Sequence, residues 1–302
     1  MSSHNLSHLA AFVSVARHSG FQKAGAELGL STSAVSHAIR ALEERLGVSL
    51  FNRTTRSVAL TNAGQRLMER LQPALSEVGD ALDEMNNFRG SPTGTLRINT
   101  SRAAGHLLVA PLMQRFLAAY PEIHLEIVDE DGLVDIVAGG FDVGIRFHES
   151  VPEDMVAVPI GGLQRMVVVG APGYFAGHPV PHHPHELATH DCVRHRFPSG
   201  RLYKWEFSRD GVQIEVDVNG RVTAGDPHLS IQASLDGIGL CYTLEDYVAP
   251  LLREGRLVCV LDDWCPPIAG FMLYYPQQRR MPPALRAFID MATELREAVK
   301  PR

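Results

Sequence analysis

Apolar residues recur at helical spacing in three runs over the first 46 positions of the chain. The first run is broken at Ser19-Gly20, the second spans Phe21–Leu28, and the third follows the N-cap residue Ser31 and ends at Gly47. The third run keeps one apolar stripe, formed by Val35, Ile39, Leu42 and Leu46. Two short helices separated by a three-residue turn predict a helix-turn-helix unit.

The polar face of the third predicted helix carries short hydroxyl groups and one long cation. The candidate DNA-contacting residues on this helix are Ser31, Thr32, Ser33, Ser36, His37 and Arg40. Side chains of these types suit phosphates and base edges in a major groove. Every amphipathic helix has a polar face, so this pattern by itself also fits an ordinary solvated surface.

A basic segment follows the third predicted helix. Residues 48–51 and 57–60 read as two short strands, and the turn 52–56 between them carries Arg53 and Arg56. A hairpin of this kind is a wing whose two arginines would lie on either side of a phosphate backbone. The alternative is a solvated basic turn.

Residues 20–65 resemble the winged helix-turn-helix of the LysR-type transcriptional regulators. The matching positions are 24–28, Ser33, Ser36, Ile39, Leu42-Glu43, Leu46-Gly47-Val48, Leu50-Phe51, Arg53, Arg56, Leu60-Thr61 and Gly64. The resemblance implies that Ser33, Ser36, His37, Arg40 and the wing arginines face DNA. Thr32, His37 and Ala38 depart from the residues common in the family, so the base sequence of the operator does not follow from the resemblance.

A long amphipathic helix is predicted next, from residue 62 to about residue 88. Its apolar positions are Leu67, Leu71, Leu75, Val78, Leu82 and Met85. Such a helix extends about 40 Å and has no sequence-adjacent partner, so we expect it to pair with the same helix of a second chain. The family uses this segment to form dimers. We predict one helix, in which Pro73 leaves room for a bend.

The glycine- and proline-containing segment 90–94 marks a domain boundary. We therefore divide the chain into a DNA-binding domain at 1–61, a linker helix at 62–91 and a third domain at 92–302. In the third domain, strands are predicted at 95–100, 123–128, 141–147, 165–170, 192–195, 212–218, 221–223, 238–242, 257–260 and 271–275. Helices are predicted there at 105–120, 135–138, 228–235 and 283–299. This alternation predicts an α/β fold with parallel sheets.

The third domain resembles the effector-binding domain of LysR-type regulators, a two-lobed α/β fold like that of periplasmic binding proteins. The resemblance rests on LRINTSR from Leu96, FLAAYPEIHLEI from Phe116, GFDVGIRF from Gly140 and the closing LYYP and ALRAFID segments. It implies one lobe at 92–163 and 268–302 and a second lobe at 164–267. A small-molecule effector would lie in the cleft between the lobes.

Ligands of such sheets bind beyond the carboxyl ends of the strands, which selects a set of candidate effector-binding residues. These residues are Thr100, Ser101, Arg102, Ile145, Arg146, Arg194, His195, Gly225 and Asp226. Small hydroxyl groups occur at the turn of Thr100 and Ser101 in the effector sites of the family. Three arginines at strand ends favour an anionic effector such as a carboxylate. The alternative is that Arg102 or Arg146 pairs with Asp129, Glu130 or Asp131, or lies on the surface.

Two other groups of residues raise the question of metal binding. The five histidines of segment 178–190 lie in a proline-rich stretch with no fixed geometry of its own, and we expect a solvent-exposed connector there. The four cysteines, Cys192, Cys241, Cys259 and Cys265, form no CxxC pair, so reduced thiols are expected. We expect no metal and no cofactor other than the effector.

The charge distribution distinguishes the two ends of the chain. The 302 residues carry a net charge of −6, which by itself argues against nucleic-acid binding. Residues 1–65, however, contain six cations and three carboxylates, a net charge of +3, so the remaining 237 residues carry −9. No apolar stretch is long enough to cross a membrane and no secretory signal is present, so we expect a cytoplasmic protein without a membrane partner.

Together these features favour a ligand-responsive transcriptional regulator that binds double-stranded DNA. The resemblance implies a homodimer through the linker helix, a homotetramer, and RNA polymerase as a partner if the chain is an activator. An enzyme on the two-lobed domain is the alternative, although no nucleophile, metal or phosphate-binding motif supports one. A solute-binding module is the other alternative, and the fused DNA-binding domain argues against it. We therefore expect no catalytic residues.

Overall fold

A computed structural model of the chain describes residues 3–53, 58–87, 92–277 and 281–298. The elements of the N-terminal part, in chain order, are α1 (Ser3–His18), α2 (Phe21–Leu28), α3 (Thr32–Leu46), β1 (Phe51–Arg53), β2 (Val58–Leu60) and α4 (Asn62–Asn87). The three predicted helices and the hairpin are therefore present. The first strand of the hairpin begins at Phe51 and includes Arg53, whereas the sequence pattern placed the strand at 48–51 and Arg53 in the turn.

One hydrophobic core holds the helix-turn-helix together. Phe12 of α1, Ile39 and Leu42 of α3 and Leu50 before the hairpin are fully or almost fully buried in it. The ring of Phe12 lies 5.3 Å from that of Phe51. Three of the four residues of the apolar stripe predicted for α3, Val35, Ile39 and Leu42, pack in this core, whereas Leu46 is 45% exposed. The opposite face of α3 is left open.

The linker helix α4 differs in one respect from the sequence-based expectation. It is one helix through Pro73, as predicted, but its first half has a partner in its own chain. Met68 is buried in the core of the DNA-binding domain, and Leu67, Leu71 and Leu75 pack against that core. A helix that continues directly from the hairpin can fold back its first turns onto α1, which the spacing alone did not reveal.

The remaining elements form the two-lobed domain. In chain order they are β3 (Gly94–Thr100), α5 (Arg102–Ala104), α6 (Ala110–Ala119), β4 (Ile123–Asp129), β5 (Val143–Phe147), β6 (Met155–Pro159), β7 (Met166–Gly170), α7 (Pro172–Phe175), β8 (Arg194–His195), β9 (Trp205–Arg209), β10 (Val212–Val216), β11 (Thr223–Ala224), α8 (Pro227–Leu235), β12 (Cys241–Leu244), α9 (Glu245–Arg253), β13 (Val258–Val260), β14 (Phe271–Pro276) and α10 (Pro283–Ala298). A π-helical turn, Gly105–Val109, joins α5 to α6.

The first lobe is built on a five-stranded sheet in the order β4-β3-β5-β14-β6. Strand β3 is parallel to β4 and β5, and Thr100 is paired with Asp129 on one side and Ile145 on the other. Strand β14 returns from the far end of the sequence and is antiparallel to β5 and β6. Helices α6 and α10 cover the sheet, with the rings of Phe116 and Phe288 5.4 Å apart. The carboxyl ends of β3 and β5 thus lie together, as predicted.

The second lobe departs from the expected parallel arrangement. Its three-stranded sheet has the order β12-β7-β13, and both outer strands are antiparallel to β7. A hairpin of β9 and β10 packs on it through the buried Trp205 and Phe207. The short strands β8 and β11 form the parallel pair of this lobe. Strand β9 was not predicted, because only two large apolar side chains mark it and charged residues lie on either side of them.

A further prediction was wrong: the segment 135–138 forms a turn and not a helix. Asp135 accepts hydrogen bonds from the N–H groups of Val137 and Ala138, which closes a turn instead of continuing into a helix. Within the described ranges, the structure has no helix that is both long enough and apolar enough to cross a membrane.

Candidate DNA interface and interlobe cleft

The recognition helix α3 begins with a side-chain cap. The Ser31 hydroxyl accepts a hydrogen bond from the N–H of Ala34 at 3.2 Å and lies 2.9 Å from the hydroxyl of Ser33. Thr32, His37 and Arg40 are exposed. The buried residues of the helix occupy its other face. The six predicted DNA-contacting positions of this helix therefore include a cap, Ser31, and a set of side chains that lie toward solvent.

Two glycines set the angle between α2 and α3. Gly29 ends α2 with φ of 64°, a left-handed conformation that favours glycine. A Cβ atom on Gly25 would lie 2.7 Å from the carbonyl oxygen of Leu30, so the turn passes directly against α2. The close approach fixes the position of α3 relative to the rest of the domain.

The cations of this domain fall into two groups. Arg17 forms an ion pair with Glu27 at 2.6 Å, and Arg53 forms one with Glu43 at 2.7 Å. Within the part of the chain that the structure describes, no carboxylate pairs with Arg40, in the middle of α3, or with Arg45, on its last turn. Since Arg40 is both exposed and without such a partner, its guanidinium is available to an anion outside the chain.

Arg53 is held more firmly than the sequence pattern suggested. Besides its ion pair with Glu43, its guanidinium lies 4.9 Å from the centre of the Phe21 ring. The other carboxylate oxygen of Glu43 accepts the N–H groups of Leu50 and Phe51, at 2.8 and 3.3 Å. Glu43 therefore connects the end of α3 to the hairpin. Arg56, the second predicted wing arginine, lies outside the described residues.

Glu27 forms a second connection, between α1 and α2. It accepts hydrogen bonds from Ser14 and Arg17, and His18 lies 3.2 Å away. Burial acts to raise the pKa of Glu27, but the Ser14 hydrogen bond and the charges of Arg17 and His18 outweigh it and lower that pKa. The carboxylate stays ionised and holds the two helices together.

In the second candidate site, Thr100, Ser101 and Ile145 lie at the adjacent ends of β3 and β5. Thr100 and Ile145 are fully buried. Ser101 is partly exposed; its N–H donates to the Ile145 carbonyl at 3.1 Å, and its hydroxyl accepts from the N–H of Ala104 at 3.3 Å. Ser101 is thus the N-cap of the helix that starts at Arg102, and it is the member of this trio that solvent reaches.

Arg146 lies inside the first lobe, with 4% of its surface exposed. Its guanidinium donates to the side-chain oxygen of Asn99 at 2.6 Å and to the carbonyl oxygens of Ile145, Glu130 and Gly132 at 2.8, 3.2 and 3.1 Å. Burial lowers its pKa, and nearby Tyr274, Asp131 and Glu130 act in the opposite direction. Arg146 therefore holds β3, β5 and the 130–132 loop together, a role that differs from both sequence-based alternatives.

Arg194 and His195 have separate surroundings, because neighbouring residues of a strand point to opposite faces. The Arg194 guanidinium lies 4.0 Å from the carboxylate of Asp217. Burial lowers the pKa of His195; Arg102 lowers it further, while Asp131 and Asp226 raise it. His195 is paired with Ala224, the residue before Gly225, whereas Arg194 is directed toward Asp217.

Gly225 and Asp226 form the start of α8. Asp226 is the N-cap of this helix and accepts the N–H groups of His228 and Leu229 at 2.9 and 3.1 Å. The Gly225 carbonyl accepts a hydrogen bond from the guanidinium of Arg102, in the other lobe, at 3.1 Å. The structure therefore brings Ser101, Arg102, His195, Gly225 and Asp226 to one region between the lobes.

Four residues of this region were not selected from the sequence. Asp131 accepts the N–H of Arg102 at 3.0 Å, and the rings of His106 and His228 lie 5.2 Å apart, one from each lobe. The ring of Tyr247 lies 5.3 Å from His228. Burial raises the pKa of Tyr247. Asp131 was named from the sequence only as a possible partner of an arginine. The position of His106, His228 and Tyr247 became apparent only in the folded chain.

The cleft offers an anionic effector fewer arginines than the sequence suggested. Of the three candidates, Arg146 is occupied by internal hydrogen bonds and Arg194 lies near Asp217. Arg102 remains in the cleft, where its guanidinium lies 3.9 Å from the carboxylate of Asp131, the pairing that the sequence offered as an alternative. Asp226, next to Gly225, is also nearby. Any anionic group bound there would meet one guanidinium and not three.

The histidine-rich segment is more ordered than a solvent-exposed connector. His190 is buried and its Nδ1 lies 3.1 Å from the Tyr174 hydroxyl, while His178 stacks on the Tyr174 ring at 4.1 Å. Pro184 and Leu187 are buried in a short 3-10 helix. The described residues include no group of three or more His, Cys, Asp or Glu side chains placed to hold a metal ion. All four cysteines are free thiols.

Both parts of the chain match family models. Residues 6–65 match the bacterial regulatory helix-turn-helix protein of the lysR family, and residues 89–297 match the LysR substrate binding domain. The two matched regions correspond to the DNA-binding domain and to the two-lobed domain described above.

Relatives align over nearly the whole chain. The HTH-type transcriptional regulator YcaN of Escherichia coli K12 is 46% identical over 95% of this chain and 94% of its own length. The HTH-type transcriptional regulator PgrR of the same organism is 36% identical over 96% of this chain and 97% of its own. Both relatives are named as transcriptional regulators.

Solved structures show the same architecture. A crystal structure of a full-length AphB variant superimposes with a TM-score of 0.70 at 26% identity, covering 95% of this chain and 98% of that one. CrgA of Neisseria meningitidis, a LysR-type transcriptional regulator, gives a TM-score of 0.59 at 29% identity, covering 96% and 98%. The chain therefore belongs to the LysR family of DNA-binding transcriptional regulators.

Proposed function

We propose that the exposed face of α3 reads DNA and that a small molecule in the interlobe cleft changes the DNA complex. The observation that carries the first part is the contrast among the cations: Arg17 and Arg53 have carboxylate partners, whereas Arg40 has none among the described residues. Arg40 then contacts base edges or phosphates, with Thr32, Ser33, Ser36 and His37 beside it.

Dimerisation through α4 is the second element of the proposal. Its first half packs on its own domain, but Val78 in the second half is 54% exposed, although it belongs to the apolar stripe of the helix. The same stripe of a second chain would cover it. Two dimers would then form the homotetramer that the family resemblance implies, and RNA polymerase would be a further partner if the chain is an activator.

The third element is an effector bound between the lobes. Five predicted residues meet there, and the rings of His106, His228 and Tyr247 add flat apolar surface. A concave site with few polar groups and several rings suits a small metabolite. Thr100, Ile145, Arg146 and Arg194 support this site from inside the lobes or from outside the cleft.

Selection from a random duplex library with the full chain tests DNA binding and dimerisation together. We expect the recovered sequences to contain two half-sites related by two-fold symmetry, since a dimer presents two recognition helices. Titration at several salt concentrations should show an affinity that falls as salt rises. Recovery of sequences with no common site, or of a single half-site, would contradict this part of the proposal.

Substitution of Ser101 tests the effector site. Ser101→Phe places a ring where β3 ends and should abolish the response to any compound that stabilises the native protein, while the affinity for selected DNA stays unchanged. Thr189→Phe, on an exposed part of the second lobe, is the control. A reporter that responds fully with Ser101→Phe would show that the effector binds elsewhere.

A further inference from the structure

One arginine side chain reaches across the cleft from the first lobe to the backbone of the second. Arg102 follows β3 of the first lobe, and its Nη1 donates to the carbonyl oxygen of Gly225 at the start of α8 in the second lobe, 3.1 Å away. This hydrogen bond spans 123 positions of sequence. Because Gly225 directly precedes the N-cap Asp226, the bond fixes where α8 begins relative to the first lobe.

The backbone of Arg102 is held independently of its side chain. Its N–H donates to Asp131 at 3.0 Å, and its carbonyl accepts the hydroxyl of Tyr247 at 3.5 Å. Loss of the guanidinium hydrogen bond would therefore leave the backbone of Arg102 in place and would free the Gly225 carbonyl. The side chain is positioned to change partners without local unfolding.

The guanidinium of Arg102 is only partly used. A guanidinium has five N–H donors, and here one of them reaches an acceptor at hydrogen-bond distance, while the Asp131 carboxylate lies 3.9 Å away. The side chain is 39% exposed. Arg97, in contrast, makes a two-bond contact with the carboxylate of Glu126. Arg102 thus retains donors for a ligand.

A carboxylate would bind this guanidinium more strongly than the Gly225 carbonyl does. A charged acceptor that takes two parallel N–H bonds forms a shorter and stronger contact than a neutral carbonyl that takes one. Asp131 and Asp226 lie near the same region, so a ligand with two negative charges would meet more repulsion than a ligand with one. The site therefore favours a single carboxylate.

We propose that Arg102 is a latch between the lobes, which a monocarboxylate effector opens by taking the guanidinium from the Gly225 carbonyl. This inference rests on the proposed function, since it assumes that the cleft binds an effector. The rings of His106, His228 and Tyr247 then contact the apolar part of the ligand, and release of Gly225 lets β11 and α8 move relative to the first lobe.

Thermal unfolding of the full chain with paired probes tests the chemistry of the latch. Phenylacetate and hexanoate are compared with phenylacetamide and hexanamide, which have the same shape without the charge, and with succinate, which has two charges. We expect the two monocarboxylates to raise the unfolding temperature at concentrations at least tenfold below those that the amides or succinate require. Equal effects of acid and amide, or no effect of any monocarboxylate, would overturn the proposal.

Variants separate the latch from general effects of charge. Arg102→Gln should lose the response to carboxylates, and Arg102→Lys should retain a weaker one because an ammonium group lacks the two-bond geometry. Arg115→Gln is the matched control, since Arg115 is an exposed arginine paired with Glu294 on the outside of the first lobe. A full response in Arg102→Gln, or loss in Arg115→Gln, would contradict the assignment.

Amide hydrogen exchange tests, without any ligand, whether the Arg102–Gly225 hydrogen bond restrains the start of α8. In Arg102→Gln the amides of Gly225, Asp226, His228 and Leu229 should exchange at least threefold faster than in the wild type, because the contact that fixes the start of α8 is gone. Unchanged exchange would show that the bond does not hold the lobes. Binding of selected DNA by the same variant tests the regulator function separately, so failure of the latch leaves that function standing.

Discussion

The recognition helix and the interlobe cleft were both predicted from candidate polar residues, but most of the predicted residues are exposed on the helix, whereas those at the cleft are buried, partly buried or paired. On α3, Thr32, His37 and Arg40 are exposed as expected. In the cleft, Arg146 is buried, Arg194 lies near Asp217, and Arg102 alone of the three arginines remains available. A polar residue on a helix is placed by helical period, whereas a polar residue at a strand end is placed by whatever packs around it.

The strongest test of this difference is Arg146→Met. Methionine keeps much of the volume but leaves the oxygen atoms of Asn99, Ile145, Glu130 and Gly132 without their donor, so we expect a loss of about 3 kcal/mol of unfolding free energy. Urea denaturation of the full chain measures it. Arg115→Met, at an exposed ion pair, should change stability by less than about 1 kcal/mol. Equal effects of the two variants would mean that the buried network contributes little.

Arg40→Ala tests the other side of the comparison. The residue is exposed, so we expect unchanged thermal stability but a loss of about 1–3 kcal/mol in binding to selected DNA if Arg40 reads a guanine. Fluorescence anisotropy with specific and scrambled duplexes distinguishes base reading from phosphate contact. Arg45→Ala, on the last turn of the same helix, should lower the affinity for the specific and the scrambled duplex slightly and by the same factor. Unchanged affinity and sequence preference for Arg40→Ala would remove it from the interface.

Glu43→Gln tests a residue that combines both kinds of placement. Glu43 lies on α3, where the helical period places it, but its contacts are with Leu50, Phe51 and Arg53 of the hairpin region. The amide keeps an oxygen for the N–H groups of Leu50 and Phe51 but loses the charge that holds Arg53, so we expect a stability loss of about 1 kcal/mol and several-fold weaker DNA binding. Glu44→Gln, exposed on the same helix, is the control. If DNA binding and stability are unchanged, the position of the hairpin does not depend on this carboxylate.

The smallest expected effect is the pH dependence caused by His190. Burial, together with the nearby His178, lowers its pKa below the unfolded value, so the unfolded chain takes up a proton more readily. The stabilisation is present above about pH 6.5 and decreases as the pH falls below it. The unfolding temperature of the wild type should therefore fall more between about pH 7.5 and about pH 5.5 than that of His190→Gln. His182→Gln, at an exposed position, should behave like the wild type.

The sequence predicted α1 to α4, α6, α8 and α10 because their signals are local, but it missed α9, the edge strand β6 and β9. Gly29 and Gly47 end α2 and α3 at the residues expected, and Ser31 caps α3. The antiparallel β7–β12 and β7–β13 pairs were not predicted, because the direction of a pairing depends on where distant segments meet. The turn at 135–138 resulted from an Asp135 side chain that competes with a helix.

The sequence by itself determined the three-part organisation, the exposed face of α3 and the candidate turn at Ser101. Periodicity, capping residues and glycine positions act over a few residues, so they can be read without a fold. Only the tertiary structure decided which arginine remained available in the cleft, and it brought His106, Asp131, His228 and Tyr247 to that site. The reason is physical: a guanidinium bonds to the acceptors within its reach, and packing between distant segments determines which those are.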